Sequence, residues 1–320
     1  MLINKKHINL IMKDRVLRYI VTSQPTIEGI IDYGEVIIEP GLLEDGKLVD
    51  GEAFQIVLEK LVKNKKWKNA PLSFCVPDSF VTIREQLVPK GLTKEETKSY
   101  INMELEESIR LPFSNPVIDF VIVSEEKDQS KILIFAYPKQ KINEFLQIFE
   151  KVGLKPKVAD LGSLSLYRLY YQFDLPNEKE DLLLVQWGKD ATVLTAFSDN
   201  KPIFTRYIKS ALSRSTWSWS DHEAELVWTG AEEDIEQAIA DQLTTIERFM
   251  DFYQYSVMDG NDQITKILLS GDFPYMERIE LLMKERFDIK IESMSRLEEK
   301  LKHPAKYADV MGLAIKSKNK

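Results

Sequence analysis

At 320 residues the chain is too long for one ordinary core and suits two domains or one bilobed unit. Its net charge of −8 argues against a nucleic-acid binder, which needs clustered Lys and Arg against phosphate, and 44% hydrophobic with 10% aromatic residues argues against disorder away from the ends. The lone cysteine, Cys75 in the apolar run LSFCV, rules out a disulfide framework and predicts a buried thiol in a reducing compartment.

The first apolar stretch is too short for a signal sequence or a spanning helix, so a cytoplasmic protein is expected. Strands follow at INLIM, VLRYIV and EVIIEP, then a helix over Gly51–Asn64 with Phe54, Val57, Leu58, Leu61 and Val62 on one face. The basic run Lys63 to Lys68 reads as that helix's solvated end. LSFCVP and FVTIREQLVP give two strands around Pro77 and Asp78. Thr93 and Glu96 form a capping box for a helix expected to reach Leu111 and stop at Pro112. Strands VIDFVIV and KILIFAY precede a helix from Lys141 to Val152, ended by Gly153. Residues 71–154 therefore read as an inserted α+β subdomain between 1–70 and 155–180, and the polar stretch Pro176 to Asp181 reads as a linker.

The second half, 181–320, opens like the first, with a meander of LLLVQWG, TVLTAFS and PIFTRYI and a helix from Glu232 to about Val257 that repeats Ile235, Ile239, Ile246, Met250 and Tyr253 at helical spacing. Of Trp217, Trp219 and Trp228, at least two are expected to pack between meander and helix rather than form an exposed anchor. A strand over Ile264–Leu269, a turn from Ser270 to Pro274, a helix from Tyr275 to Phe287 and a strand from Ile289 to Ser293 make a βαβ unit. This approximate duplication is the architecture of the actin and sugar-kinase fold, an α/β fold of two ribonuclease H-like lobes. In actin-like ATPases the turn of that βαβ unit carries two adjacent glycines, because backbone flat against an adenine leaves no room for a side chain. Here the pair is Gly271 and Asp272.

Catalytic constellations are missing. The three histidines have no partner at metal-ligand spacing, GxSxG does not occur, Cys75 has no basic setting, and no GxG or GxxxxGK[ST] supplies another phosphate cradle.

The segment NMELEESIRLPFSNPVIDFVIV resembles the signature of the PilM family, actin-fold proteins of type IV pilus machinery, through Glu104, Glu107, Pro112, Phe113 and Asp119. GLKPKVADLGSLSLYRL, KPIFTR, the EAE triplet at Glu223 to Glu225, ERFMDFYQ, the LSG turn and YADVMGLAIK follow in the family's order, nearly end to end. The departures lie in the nucleotide loops. Where the family has Asp-Ile-Gly-Ser-Ser this chain runs from Asn9 through Ile11 to Lys13, the second loop reads Gln186, Trp187, Gly188, and a further glycine pair is replaced by Ser210 and Ala211. With carboxylate and glycines lost, metal positioning for phosphoryl transfer is lost too.

The resemblance implies a groove that grips the extended N-terminal tail of a PilN-like membrane protein, and it places Glu104, Glu107, Arg110, Pro112, Phe113 and Asp119 there, with an apolar slot and a carboxylate rim suited to a tail of apolar, Pro and basic residues. It implies a scaffold coupling a pilus or pseudopilus platform to its motor, with neither enzyme activity nor cofactor, cytoplasmic and held at the inner membrane face only through its partner. The alternative is a working actin-like ATPase using ATP and magnesium. A self-tethering filament former is disfavoured by the polar ending IKSKNK. A nucleotide-free cleft should be partly filled by Ile11, Met12 and Trp187 in place of ligand.

Overall fold

The structure, a computed structural model, describes residues 6–173, 180–212, 214–222 and 225–316, without the side chains of Glu106, Glu107 and Arg214. Most of the expected linker, Glu223 of the acidic triplet and the polar C-terminal residues lie outside these ranges.

Strands β1 (His7–Met12), β2 (Val16–Thr22) and β3 (Ile30–Ile37) form an antiparallel meander, followed by the short hairpin of β4 (Leu43–Glu44) and β5 (Lys47–Leu48). Helix α1 (Gly51–Lys65) starts where the Asp50 carboxylate accepts the Ala53 N–H and stops at Lys66 in the left-handed region. It returns the chain to β6 (Pro71–Val76), which lies parallel to β1. Strand β7 (Thr82–Pro89), helix α2 (Lys94–Glu107) and strands β8 (Pro116–Glu125) and β9 (Gln129–Pro138) build a separate three-stranded sheet, ordered β7-β9-β8, before α3 (Lys139–Lys151), β10 (Lys155–Leu161) and α4 (Gly162–Gln172).

The second half repeats the plan. Strands β11 (Leu182–Trp187), β12 (Ala191–Ser198) and β13 (Lys201–Lys209) form a meander, followed by the hairpin β14 (Trp217–Ser220) and β15 (Glu225–Trp228). Helix α5 (Glu232–Phe252) ends in a π turn over Tyr253–Val257 and leads to β16 (Lys266–Gly271), α6 (Met276–Arg286), β17 (Lys290–Ser293), α7 (Glu298–Leu301) and α8 (Ala308–Ala314).

The two large sheets have the same topology. One runs β3-β2-β1-β6-β10 and the other β13-β12-β11-β16-β17, each a meander extended by two parallel strands. Alternating faces of these strands bury three cores. Helices α1 and α3 cover the first sheet through Phe54, Leu58, Phe145 and Phe149, and α5 and α6 cover the second through Ile239, Ile246, Ile279 and Met283. Between the sheets, α4 and α8 pack against Ile11, Ile20 and Cys75 on one side and Leu184 and Leu268 on the other. The duplication expected from the sequence is thus a pair of lobes packed on two central helices.

Four expectations change. Strand β6 pairs on both sides within the first sheet, and α3 packs with α1, so the separate sheet covers only β7 to β9 rather than all of 71–154. The strand expected at EVIIEP begins earlier, at Ile30, because Ile30 to Tyr33 also ladder to β2 even though Ile31 and Tyr33 face outward. Helix α2 ends at Glu107, short of Leu111, because the Ser108 and Ile109 N–H groups both donate to Glu104 O and the buried Ile109 turns onto the small sheet. The long helix loses α geometry after Phe252.

Candidate functional site

The parallel strands of both sheets end at one cleft. On the first lobe, β1 and β2 are joined by a tight turn at Lys13 to Arg15, closed by the Lys13 N–H donating to Val16 O at 2.8 Å. On the second, β11 and β12 are joined at Gly188 to Asp190, closed by the Gly188 N–H donating to Ala191 O at 2.9 Å. The related topology of the sheets brings these turns together, and the Arg15 N–H donates to Asp190 Oδ2 at 3.2 Å.

Charged side chains join the lobes. The Arg15 guanidinium donates to Ile38 O at 3.0 Å on its own lobe and to Trp217 O at 3.1 Å on the other. Arg18, buried in the middle of β2, donates from Nε to Glu35 at 3.0 Å and from Nη2 to Asp272 Oδ2 at 2.6 Å. Lys306 donates to the other Glu35 oxygen at 2.7 Å, and Lys189 donates to Asp272 O at 2.8 Å. Burial opposes ionisation of Asp272, but Arg18, Lys13 and Lys189 outweigh it and hold the carboxyl far below the usual range. Glu35 is likewise lowered against its burial, first by Arg18 and then by Lys306.

Gly271 gives this arrangement its shape. Its φ of +147° and a would-be Cβ only 1.9 Å from Trp187 O admit no side chain, because the Asp272 and Phe273 N–H groups both turn back to that carbonyl at 3.2 and 3.3 Å. The next residue therefore points into the cleft floor, and there a glycine is replaced by the Asp272 carboxylate. The carboxylate at the first turn, Asp14, accepts the Asp45 and Gly46 N–H groups at 2.6 and 3.0 Å.

Above the floor lies a cavity of about 580 Å³, whose walls include Arg15, Glu35, Lys189, Asp272, Arg278 and Lys306. A smaller void of about 70 Å³ lies between the turns, bounded by Lys13, Asp78, Gln186 and Gly188. Burial pushes the Asp78 carboxyl up to about 6, against the pull of Lys13 and the Gly162 N–H.

The expected apolar plug is not formed. Ile11, Met12 and Trp187 point into three different cores, because alternate strand residues face opposite sides of each sheet, and at the cleft floor the lobes meet through ions. Asn9 is also no loop residue: it lies within β1 and its amide donates to Ile20 O at 3.2 Å. Gln186, Gly188, Gly271 and Asp272 line the cleft or its small void, while Ser210 sits behind the second turn with its N–H on Asp190 O at 2.8 Å. Lys13, Arg15, Arg18 and Lys189 were not anticipated. One signal was available, since Arg18 interrupts an otherwise apolar strand and a buried charge demands a partner.

A second concavity, of about 510 Å³, lies where the small sheet joins the first lobe, lined by Phe80, Val81, Pro112, Phe113, Pro138 and Lys141. Pro112 and Phe113 thus fall in one groove. Glu104 instead accepts the Ser108 hydroxyl, Arg110 is exposed beyond α2, and Asp119 faces outward on β8. The Glu107 side chain lies outside the described residues. Among the described residues no carboxylate lines the groove, where the ionic group is Lys141, itself 3.1 Å from Glu144. Among the described residues no helix is long and apolar enough to cross a membrane, and no cluster of three or more His, Cys, Asp or Glu is placed to hold a metal.

A sequence profile described as type IV pilus assembly protein PilM matches residues 27–211, more than half of the chain. No curated protein matches the sequence. Among solved structures, the chain is similar to the PilM-PilN type IV pilus biogenesis complex, with a TM-score of 0.77 at 18% identity over 97% of this chain and 99% of that one. It is also similar to ethanolamine utilization protein EutJ from Carboxydothermus hydrogenoformans, at 0.55 and 9% over 97% and 89% of the two chains. A third likeness is to MreB5 of Spiroplasma citri bound to ADP, at 0.52 and 12% over 97% and 95%. At these identities the likenesses establish the fold, that of the actin-like ATPases.

Proposed function

The chain belongs to the family of type IV pilus assembly protein PilM, and from that premise we propose that it is a non-hydrolysing scaffold of a pilus or pseudopilus machine, gripping the N-terminal tail of a PilN-like membrane protein. The observation that carries this reading is the Arg18–Asp272 ion pair, 2.6 Å long and buried on both sides, which ties the lobes together at the cleft floor through the chain's own side chains. In an ATPase of this fold, nucleotide and metal supply that cross-link.

The donor set does not suit a magnesium nucleotide. Asp14 is occupied by backbone N–H groups, Asp272 by Arg18, and the residue after Gly271 carries a carboxylate where a purine needs bare backbone. No ATP and no magnesium take part in the proposed role. The groove at Pro112 and Phe113 is the place for the tail, with Phe80, Val81 and Pro138 as its apolar walls. A chain bound in this way would sit at the cytoplasmic face of the membrane through its partner. The ATPase alternative is favoured by the 580 Å³ cleft between the lobes, whose mixed-charge walls include Arg15, Lys189, Arg278 and Lys306.

Calorimetric titration of the full chain with magnesium ATP, and separately with a peptide of the partner's N-terminal tail, decides between them. Heat with the peptide and none with the nucleotide is the expected result. Micromolar binding of the nucleotide would restore the ATPase reading.

A further inference from the structure

Strands β1, β6 and β10 run parallel and begin at the same edge of the first lobe, opposite the cleft. Helices α1 and α3, which run back against them, end at that edge. The ends are in contact: the Asn69 N–H donates to Gly153 O at 2.7 Å, the Lys155 N–H donates to Ala70 O at 2.9 Å, and a Cβ on Gly153 would lie 3.4 Å from Lys68 Cγ. This topology collects lysines from two distant stretches at one pole: Lys63 and Lys66 at the end of α1 with Lys68 in the loop that follows, and Lys151 at the end of α3 with Lys155 and Lys157 on β10.

All six side chains are exposed, and none forms an ion pair among the described residues. The acidic side chains nearest in sequence are Glu59, one turn back on α1, Glu150, beside Lys151, and Asp160, further along β10 and already paired with Arg168 at 2.9 Å, while Asp32 is paired with Lys65 at 2.9 Å. Lysine at a helix end complements the helix dipole, which accounts for Lys63 and Lys151 alone. Lys68, Lys155 and Lys157 have no helix to serve. In a chain of net charge −8, such a pole is a local reversal of sign.

We propose that this lysine pole docks on an anionic membrane surface, giving the chain a weak lipid contact of its own in addition to its protein partner. Four to eight clustered lysines, at about fivefold in affinity each, bind anionic lipid headgroups without insertion. The choice of membrane over nucleic acid rests on the reading above that the chain works beside a membrane protein, and on the pole's lack of an exposed aromatic platform, since Trp67 is buried beneath it. The geometry allows both contacts at once. The tail groove lies at the start of α3 and the pole at its end, about 20 Å apart at 1.5 Å per residue, a distance that about six extended residues cover.

The test is co-sedimentation of the full chain, with no partner present, on vesicles of phosphatidylcholine with and without phosphatidylglycerol. Binding to the anionic vesicles only, falling as salt rises and weakened about a hundredfold in the K63E/K68E/K155E triple variant, is expected. Circular dichroism and melting check that the variant folds, and the salt dependence of the unaltered chain gives a reading that needs no variant. Equal binding to both vesicle types, or no binding, overturns the inference, as does tight binding of duplex DNA that the same triple variant abolishes. If vesicles fail while the tail peptide binds, only this inference falls; if the peptide fails while vesicles bind, the partner reading falls instead.

Discussion

Arg18 and Asp272, 254 residues apart, meet at 2.6 Å across the interlobe cleft, with 3% and 5% of their side-chain surface exposed. Removing one partner of a buried pair leaves an uncompensated charge, so Asp272→Asn and Arg18→Gln should each cost about 3–5 kcal/mol, whereas a double apolar replacement should cost less than either. Chemical denaturation of the three variants checks this. Because Asp272 stays ionised in the folded chain far below the pH at which an unfolded aspartate takes up a proton, its contribution is complete at neutral pH and fades as pH falls below about 4. Asp272→Asn should show no such acid-dependent loss.

Asp78 titrates in the opposite sense. With its carboxyl pushed up to about 6, the folded chain holds a proton that the unfolded chain has released, so stability drops as pH rises from about 4 to 6 and stays lower above that. Asp78→Asn should match the parent near pH 4 and exceed it by about 1–2 kcal/mol at pH 7. Melting curves across this range measure the difference, and a gap independent of pH would contradict the assignment.

Helices α4 and α8 cross at Gly312, where a Cβ would lie 1.8 Å from Ser165 O. Gly312→Ala must force the two helices apart and should cost about 3 kcal/mol or more. Gly51→Ala, whose new methyl would meet only Ile148 Cδ1 at 3.7 Å, should leave stability unchanged or slightly higher. Comparing both by thermal unfolding separates crowding at the helix crossing from a general intolerance of added methyls.

Phe113 and Asp119 both belong to the segment that resembles the PilM signature, yet only Phe113 lines the groove. Phe113→Ala should weaken binding of the partner-tail peptide about tenfold or more, as truncation of an aromatic anchor does, while Asp119→Ala should leave it unchanged. Titration calorimetry with the same peptide reads both, and the reverse ranking would move the tail to the face of β8.

Much of the fold was legible because it is local. The capping box at Thr93 and Glu96 forms as its spacing implies, with the Thr93 N–H on Glu96 at 2.8 Å, and the repeated meander of β1–β3 and β11–β13 announces two related lobes. Trp217 and Trp228 pack edge to face in the second core as large aromatics should, and Trp219 is left exposed. The inserted unit was drawn too wide because a short apolar strand such as β6 looks the same in sequence whether it pairs with β1 or with β7.

Periodicity, caps and the lone Gly271 at a strand end are properties of neighbouring residues, and they specified the two meanders, the long helices and the altered nucleotide turn from the sequence alone, but not β10, the hairpin of β14 and β15, or α8. What closes the cleft was decided only by tertiary structure. Whether Arg18 faces water, a ligand or Asp272 depends on how two sheets lie across α4 and α8, and burial there makes the pairing obligatory because an isolated charge has no water to solvate it.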